Sequence, residues 1–168
     1  MKKFMTAFIA VTALGLVSAQ AATSDTTTGF IKNAAIGNMF EIETSKVALE
    51  KSKDEDVRAF ANQMIKDHTK AGNEMKAALK KANIPASAAP KALDEKHQAQ
   101  LDALKDKSIG FDKQYLDAQV AAHGEAVTVF QDYSANGDNA TLKDFATKTL
   151  PTLKGHQSHI NALAPEKQ

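Results

Sequence analysis

Residues 55–82 read EDVRAFANQMIKDHTKAGNEMKAALKKA, and their apolar side chains recur at the spacing of an amphipathic helix. Ser52 and Glu55 fit a capping box that opens this helix, and the segment around Pro85 ends it, because proline cannot continue the hydrogen-bond ladder. On a helical wheel the stripe predicted to be buried consists of Val57, Ala61, Met64, His68, Met75 and Leu79. A histidine therefore stands in the middle of an otherwise apolar stripe.

The same spacing predicts three more long helices, at about 29–51, 111–135 and 140–163, and a shorter helix at about 93–105. No segment alternates apolar and polar residues with a period of two, so no sheet is expected. The predicted fold class is all-α: a four-helix bundle with an extra short helix in the connection between the second and third long helices. Two hairpins joined by the 83–110 connection favour the ferritin-like arrangement.

The N-terminus has the features of a secretory signal peptide. Lys2 and Lys3 precede an apolar run at 4–17, and Ala-x-Ala follows at 19–21. We therefore expect cleavage near Ala21 and an exported, periplasmic protein. The predicted organisation is a signal peptide at 1–21, a flexible lead-in at 22–28, a bundle domain at 29–164 and a tail at 165–168.

Composition excludes several classes of function. The chain has 168 residues, 43% of them hydrophobic, which suits one packed domain. The formal net charge is +1, whereas a nucleic-acid binder normally carries a basic face, so no nucleic-acid partner is expected. The absence of cysteine excludes disulfides and thiolate metal sites. After residue 21 no run of about 18 apolar residues occurs, so no membrane span is expected.

Each of the other long helices also carries a potential metal ligand at the centre of its predicted buried face. These residues are Glu41, His123 and His156. In an antiparallel hairpin, residues equidistant from the turn lie at the same height. Positions 41 and 68 have their midpoint at 54–55, and positions 123 and 156 have theirs at 139–140, so both midpoints fall in predicted turns. One carboxylate and three imidazoles are therefore predicted to converge in one layer.

Two interpretations of this layer remain open. A buried carboxylate must be neutralised or paired, and one divalent transition metal (Zn, Fe, Mn, Ni or Cu) bound by Glu41, His68, His123 and His156 would do so. Alternatively, the same residues form a metal-free polar layer that sets the register of the helices. Three further residues lie close enough on the wheels to support the ligands by hydrogen bonds: Asp67, Gln119 and His159. His97, on the short helix, is predicted to be exposed.

Several motifs resemble one bacterial family. They are Asn38–Glu43, Val57–Ala61, Met64–Thr69, Gly110–Tyr115, Ala122-His123 and Leu150-Pro151 followed by His156. Together they resemble the ferritin-like family of unknown function whose members are often described as predicted outer membrane or exported proteins. The resemblance covers about residues 30–163 and implies a ferritin-like four-helix bundle.

The sequence departs from the di-iron members of the ferritin-like superfamily. Those proteins use a Glu from each of two helices and Glu-x-x-His on each of the other two. Here Ile65 and Leu153 stand three residues before His68 and His156. Ferroxidase or oxygenase chemistry is therefore not expected, and a single metal ion held for sequestration or stress protection is the function favoured. The alternative is a metal-free structural or interaction protein of the cell envelope.

Overall fold

The computed structural model describes residues 23–164, which form a helical bundle without strands in that range. The predicted signal peptide at 1–21 and the tail at 165–168 lie outside the described residues. Within them, no helix is both long and apolar enough to cross a membrane. A 3-10 turn spans Ala86–Ala88. The helices are α1 (Asp25–Lys51), α2 (Glu55–Lys81), α3 (Glu95–Asp106), α4 (Phe111–Asn136) and α5 (Ala140–Leu163).

The first helix begins earlier than the sequence pattern suggested. It starts at Asp25, so residues 25–28 are helical, whereas the sequence predicted a flexible lead-in at 22–28. The Ser24 hydroxyl accepts a hydrogen bond from the backbone N–H of Thr27 at 3.0 Å and so caps the helix. The Thr27 side chain is itself buried and bonds to Tyr133. A polar residue is thus drawn into the helix by a cap and by a tertiary hydrogen bond, which periodicity of apolar residues does not reveal.

The second helix is capped by Asp54 and not by Ser52. The Asp54 carboxylate accepts from the backbone N–H groups of Asp56 and Val57, at 3.0 and 3.2 Å. An acidic cap also interacts favourably with the positive end of the helix dipole. Ser52 instead ends α1, where its N–H bonds to the carbonyl of Ala48. The capping box that the sequence suggested at Ser52 was therefore wrong by two residues.

The long helices pack in a closed cycle, α1 with α2, α2 with α5, α5 with α4 and α4 with α1. Two apolar clusters fill the two ends of the bundle. One end holds Phe30, Ile31, Met75, Leu79, Phe130, Tyr133, Leu142 and Phe145. The other holds Phe40, Val57, Phe60, Leu104, Phe111, Tyr115, Leu116 and Ile160. The chain positions in these sets show that α1 runs antiparallel to α2 and α4 and parallel to α5.

The connection between α2 and α4 returns along the bundle, because α2 ends beside the first cluster and α4 begins beside the second. Within it α3 packs against α1. The ammonium group of Lys51 holds the far end of α3 by donating to the carbonyls of Lys105 and Lys107. His97 is not exposed as predicted: 16% of its side chain is accessible, and its ring packs edge-on against Phe40.

Candidate metal centre

Four polar side chains, one from each long helix, lie between the two apolar clusters. They are Glu41 of α1, His68 of α2, His123 of α4 and His156 of α5. Their relative accessibilities are 1%, 4%, 0% and 3%, so all four lie in the dry interior. One potential ligand atom from each of the three histidines lies within 4.8 Å of the others. The structure thus brings together the four residues that the sequence singled out.

The Glu41 carboxylate contacts two of the three imidazoles. Its Oε2 lies 3.0 Å from Nε2 of His68, and its Oε1 lies 3.1 Å from Nδ1 of His123. Neither contact has the direction of a hydrogen bond, since both Glu41 Oε1 and His68 Nε2 have no hydrogen-bond partner among the described residues. The interaction of Glu41 with His68 is therefore chiefly one of charge.

Each histidine is oriented by a hydrogen bond from one ring nitrogen to an oxygen. His68 Nδ1 donates to Asn38 Oδ1 at 3.2 Å, and His123 Nδ1 donates to the Gln119 carbonyl at 3.1 Å. His156 Nε2 donates to Asp67 Oδ2 at 3.0 Å. Because all three partners are acceptors, these nitrogens carry the hydrogen in a neutral ring.

The opposite nitrogen of each ring has no hydrogen-bond partner in the described part of the chain. These atoms are His68 Nε2, His123 Nε2 and His156 Nδ1, and all are buried. In a neutral ring each would carry a lone pair. Metal-binding histidines typically use one nitrogen for the ion and the other to donate to a carboxylate or carbonyl, which is the arrangement found here.

Of the three residues predicted to support the ligands, two contact a ligand and one does not. Asp67 holds His156 as expected, and Gln119 holds His123 through its backbone carbonyl, while its side-chain amide donates to Thr44 at 2.9 Å. His159 does not join the layer: it is exposed, and its ring packs edge-on against Phe60. His159 lies at the edge of the buried face of α5, about 60° from His156 around the helix axis, and there it is exposed.

Sequence reasoning missed Asn38, the acceptor for His68. Asn38 sits one turn before Glu41, and its side chain packs over Gly72 of α2: a Cβ built on Gly72 would lie 3.1 Å from Asn38 Nδ2. A glycine inside a helix costs about 1 kcal/mol relative to alanine. That cost at Gly72 is the sequence signal that a neighbouring group needs the space.

Burial and charge act in opposite directions on the ionisable groups of the layer. Burial raises the pKa of Glu41, but the positive charge of His68, with smaller contributions from His123 and His156, leaves that pKa below its ordinary value. Burial lowers the pKa of His68, and the Glu41 carboxylate outweighs it, so the pKa of His68 is raised. The metal-free layer therefore holds an anionic Glu41 beside a protonated His68.

The other two histidines are favoured in the neutral form. Burial lowers the pKa of His123, and the nearby Glu41 carboxylate offsets this only in part. Burial likewise lowers the pKa of His156 despite its hydrogen bond to Asp67. Burial raises the pKa of Asp67, but its hydrogen bond with His156 leaves that pKa below its ordinary value. Two of the three imidazoles are thus ready to offer a lone pair at neutral pH.

Comparison with known protein families shows which family this chain belongs to. The family model described as "Domain of unknown function (DUF4142)" matches residues 13–163. The chain belongs to this family. The sequence motifs predicted a family of unknown function, and that part of the prediction is confirmed.

One solved structure shows that the DUF4142 fold has a distant counterpart. The chain is similar to the crystal structure of a DUF305 fragment from Deinococcus radiodurans, with a TM-score of 0.71 and 15% sequence identity. The alignment covers 85% of this chain and 97% of that one. At this identity the likeness concerns the fold alone. Comparison with curated protein sequences found no significant match.

Proposed function

We propose that this protein binds a single transition-metal ion in the buried layer, with His68, His123 and His156 as ligands and Glu41 as the fourth. The observation that carries the proposal is that, among the described residues, three buried imidazole nitrogens have no hydrogen-bond partner, and one of them, His68 Nε2, has only a charge contact with Glu41. A buried polar atom without a partner costs about 1–3 kcal/mol, and three at one place are unusual in a metal-free core. A metal ion would satisfy all three at once.

The size of the layer suits such an ion. Tetrahedral zinc lies about 2.0–2.1 Å from its imidazole nitrogens, which places the nitrogens about 3.4 Å apart. The three ligand atoms lie at most 4.8 Å apart. Closing the widest pair to the tetrahedral value therefore requires each nitrogen to move by about 0.7 Å. A change of that size is within reach of side-chain rotation.

The charge of the layer also suits a divalent cation. Binding would displace the proton of His68, and the Glu41 carboxylate would then compensate the charge of the metal in place of the charge of His68. Three imidazoles and one carboxylate are compatible with Zn, Fe, Mn, Ni or Cu(II). Four protein ligands fill a tetrahedral shell, which favours sequestration, buffering or stress protection over catalysis.

Two parts of the proposal concern context. The signal-peptide pattern at 1–21 supports an exported, periplasmic location, and the order of the helices with a long α2–α4 connection supports a ferritin-like relationship. The location can be checked on the chain expressed with its own N-terminus. Recovery in the periplasmic fraction with a mass that corresponds to cleavage after Ala21 is expected, and an intact N-terminus in the cytoplasmic fraction would contradict it.

The metal proposal is tested by elemental analysis of protein purified without a histidine tag. We compare His156→Ala with His159→Ala, because both histidines lie on α5 but only His156 is in the layer. We expect about one ion per chain in the wild type and in His159→Ala, and a stoichiometric loss in His156→Ala. Equal metal content in the two variants would refute the proposal.

A metal-free role as a structural or interaction protein of the envelope is the second candidate. It is favoured by the charge contact of Glu41 with His68 and by the hydrogen bond of Asp67 with His156, which give both carboxylates a partner without an ion. In that case Zn(II), Cu(II) and Fe(II) would leave the thermal unfolding temperature unchanged. The metal site instead predicts a rise with at least one of them, because binding to the folded state stabilises it.

A further inference from the structure

A cavity of about 720 Å³ lies between the bundle helices and reaches the layer from one side. Glu41 and His68 belong to its lining, whereas His123 and His156 do not. The remaining wall is mostly apolar, and its larger side chains include Ile36, Met75, Val129, Phe130, Phe145 and Leu153. The cavity therefore borders the layer on its Glu41 side.

Two partly buried glycines contribute to the cavity lining. They are Gly37 of α1 and Gly124 of α4. A Cβ built on either glycine would meet nothing within 4 Å. The cavity lining also includes the exposed residues Ala121, Glu125 and Thr128, so the cavity opens to solvent between the helices.

Two residues that border the cavity carry buried polar atoms. Glu41 Oε1 and His68 Nε2 are buried, and neither has a hydrogen-bond partner among the described residues. Their residues are 1% and 4% accessible. The polar end of the cavity is thus small and deep, while its wall is apolar.

The outer part of the cavity carries charges that already compensate one another. Lys96 of α3 pairs with Glu125 of α4 at 3.0 Å, and Asp94 pairs with His97 at 2.6 Å. All four residues line the cavity. Such a balanced rim does not select a strongly charged ligand, so selection rests on the apolar wall and on the polar end.

We propose that this cavity binds a small, largely apolar molecule that carries a single electron-pair donor, with the donor directed at the Glu41 and His68 side of the layer. The volume lies within the range of about 300–1,000 Å³ found for small-molecule sites. The second half of the proposal rests on the metal function proposed above, because with a metal bound the donor would join the four protein ligands as a fifth ligand of the ion. The first half, binding of the apolar body, holds with or without a metal.

The first experiment tests the apolar body in protein treated with EDTA. Fluorescence titration with the neutral probe N-phenyl-1-naphthylamine compares the wild type with Gly37→Leu and Gly124→Leu, which extend a side chain into the cavity from two different helices. Leucine favours the helix more than glycine does, so both variants are expected to fold, and circular dichroism checks this. Gly29→Leu is the matched control, since Gly29 is also helical, has open space at its Cβ and lies outside the cavity lining.

We expect one probe per wild-type chain and a loss of affinity of about tenfold or more in both cavity variants, because the added side chain occupies the space that the probe needs. The Gly29→Leu variant is expected to bind as the wild type does. A wild type that does not bind the probe, or cavity variants that bind it with unchanged affinity, would overturn the proposal.

The second experiment tests the donor in protein loaded with Co(II), whose visible absorption reports its ligands. The monodentate, largely apolar probe 4-butylpyridine is expected to change the spectrum of the wild type and of Gly29→Leu, and to do so at about tenfold higher concentration in Gly124→Leu. Bound cobalt whose spectrum does not respond, or responds equally in all three proteins, would overturn the donor position. Failure to bind cobalt, Zn(II) or Cu(II) at all would refute the metal function instead, and the fluorescence comparison would still decide whether the cavity binds an apolar molecule.

Discussion

Two carboxylate–imidazole pairs of equal length behave in opposite ways. Glu41 with His68 and Asp67 with His156 are both 3.0 Å apart. Both side chains of the Glu41–His68 pair are buried, whereas 25% of the Asp67 side chain is accessible. Burial lowers the pKa of both histidines. Glu41 nevertheless raises the pKa of His68 above its ordinary value, whereas the pKa of His156 stays below its ordinary value. A carboxylate without access to water is thus the one that keeps a proton on its partner, because charge interactions are strongest where water is excluded.

The largest expected effect is a difference in the free energy of unfolding between variants of the two pairs. In the presence of EDTA, His68→Leu leaves the buried Glu41 carboxylate without a positively charged partner, and we expect it to lower the free energy of unfolding by about 3–5 kcal/mol. His156→Leu leaves Asp67 partly hydrated, and we expect a loss of about 1–2 kcal/mol. Urea unfolding measures both. Equal losses would show that hydration of the carboxylate does not distinguish the pairs.

In the metal-free protein, the two pairs are expected to change the stability in opposite directions as the pH changes. The pKa of His156 is lowered by burial, so below about pH 6.5 the unfolded chain binds more protons at this residue and stability falls with acidification. Burial lowers the pKa of His68, but Glu41 raises it more, so this pKa is higher in the folded chain than in the unfolded chain. The contribution of His68 to stability is therefore complete below about pH 6.5 and is lost as the pH rises through the pKa of the folded chain. His123 acts in the same direction as His156, because burial lowers its pKa too.

Unfolding free energies measured between pH 5 and 9 by urea titration with EDTA test these signs. Each histidine contributes a slope of up to about 1.4 kcal/mol per pH unit in its window. His156→Leu should make the acidic side of the profile shallower, and His68→Leu should flatten the alkaline side. If His156→Leu changed the alkaline side instead, the assignment of the proton to His68 would be wrong.

A smaller effect concerns metal affinity. Asp67→Asn keeps the shape of the partner of His156 but removes its charge, and loss of such a supporting group typically weakens metal binding about 10–100-fold. Glu74→Gln, an exposed acid on the same helix, is the control and should leave the affinity unchanged. Competition of each protein with a chromophoric chelator for Zn(II) gives the affinities. Equal affinities for the two variants would mean that the Asp67 hydrogen bond does not tune His156.

The central residues of the layer could be predicted from the sequence because helical periodicity fixes both face and height. Glu41 and His68 are equidistant from their turn, and so are His123 and His156, and these relations need no knowledge of packing. His159 could not be placed the same way, since a residue at the edge of a stripe turns inward or outward according to its neighbours. Leu153 and His159 show this: each lies three residues from the buried His156, but Leu153 is buried and His159 is exposed.

Other features depend on contacts that the sequence does not encode locally. Asn38 lies 30 positions from His68, and its role follows from how closely α1 and α2 approach at Gly72. The Thr27 hydrogen bond that extends α1 joins residues more than a hundred positions apart. The cavity likewise is lined by Gly37 and Gly124, on helices that meet only in the folded bundle.

The smallest expected effect tests how precisely the buried pair is positioned. In Gly72→Ala the new methyl group would lie 3.1 Å from Asn38 Nδ2, so the amide must shift by a few tenths of an ångström and loosen its hydrogen bond to His68. Alanine also favours the helix by about 1 kcal/mol, so the variant should unfold at a slightly higher urea concentration while its zinc affinity falls about threefold. Gly29→Ala, with open space at its Cβ, should show the gain in stability without the loss of affinity. If both variants bound zinc as the wild type does, the Asn38 amide would have no part in orienting His68.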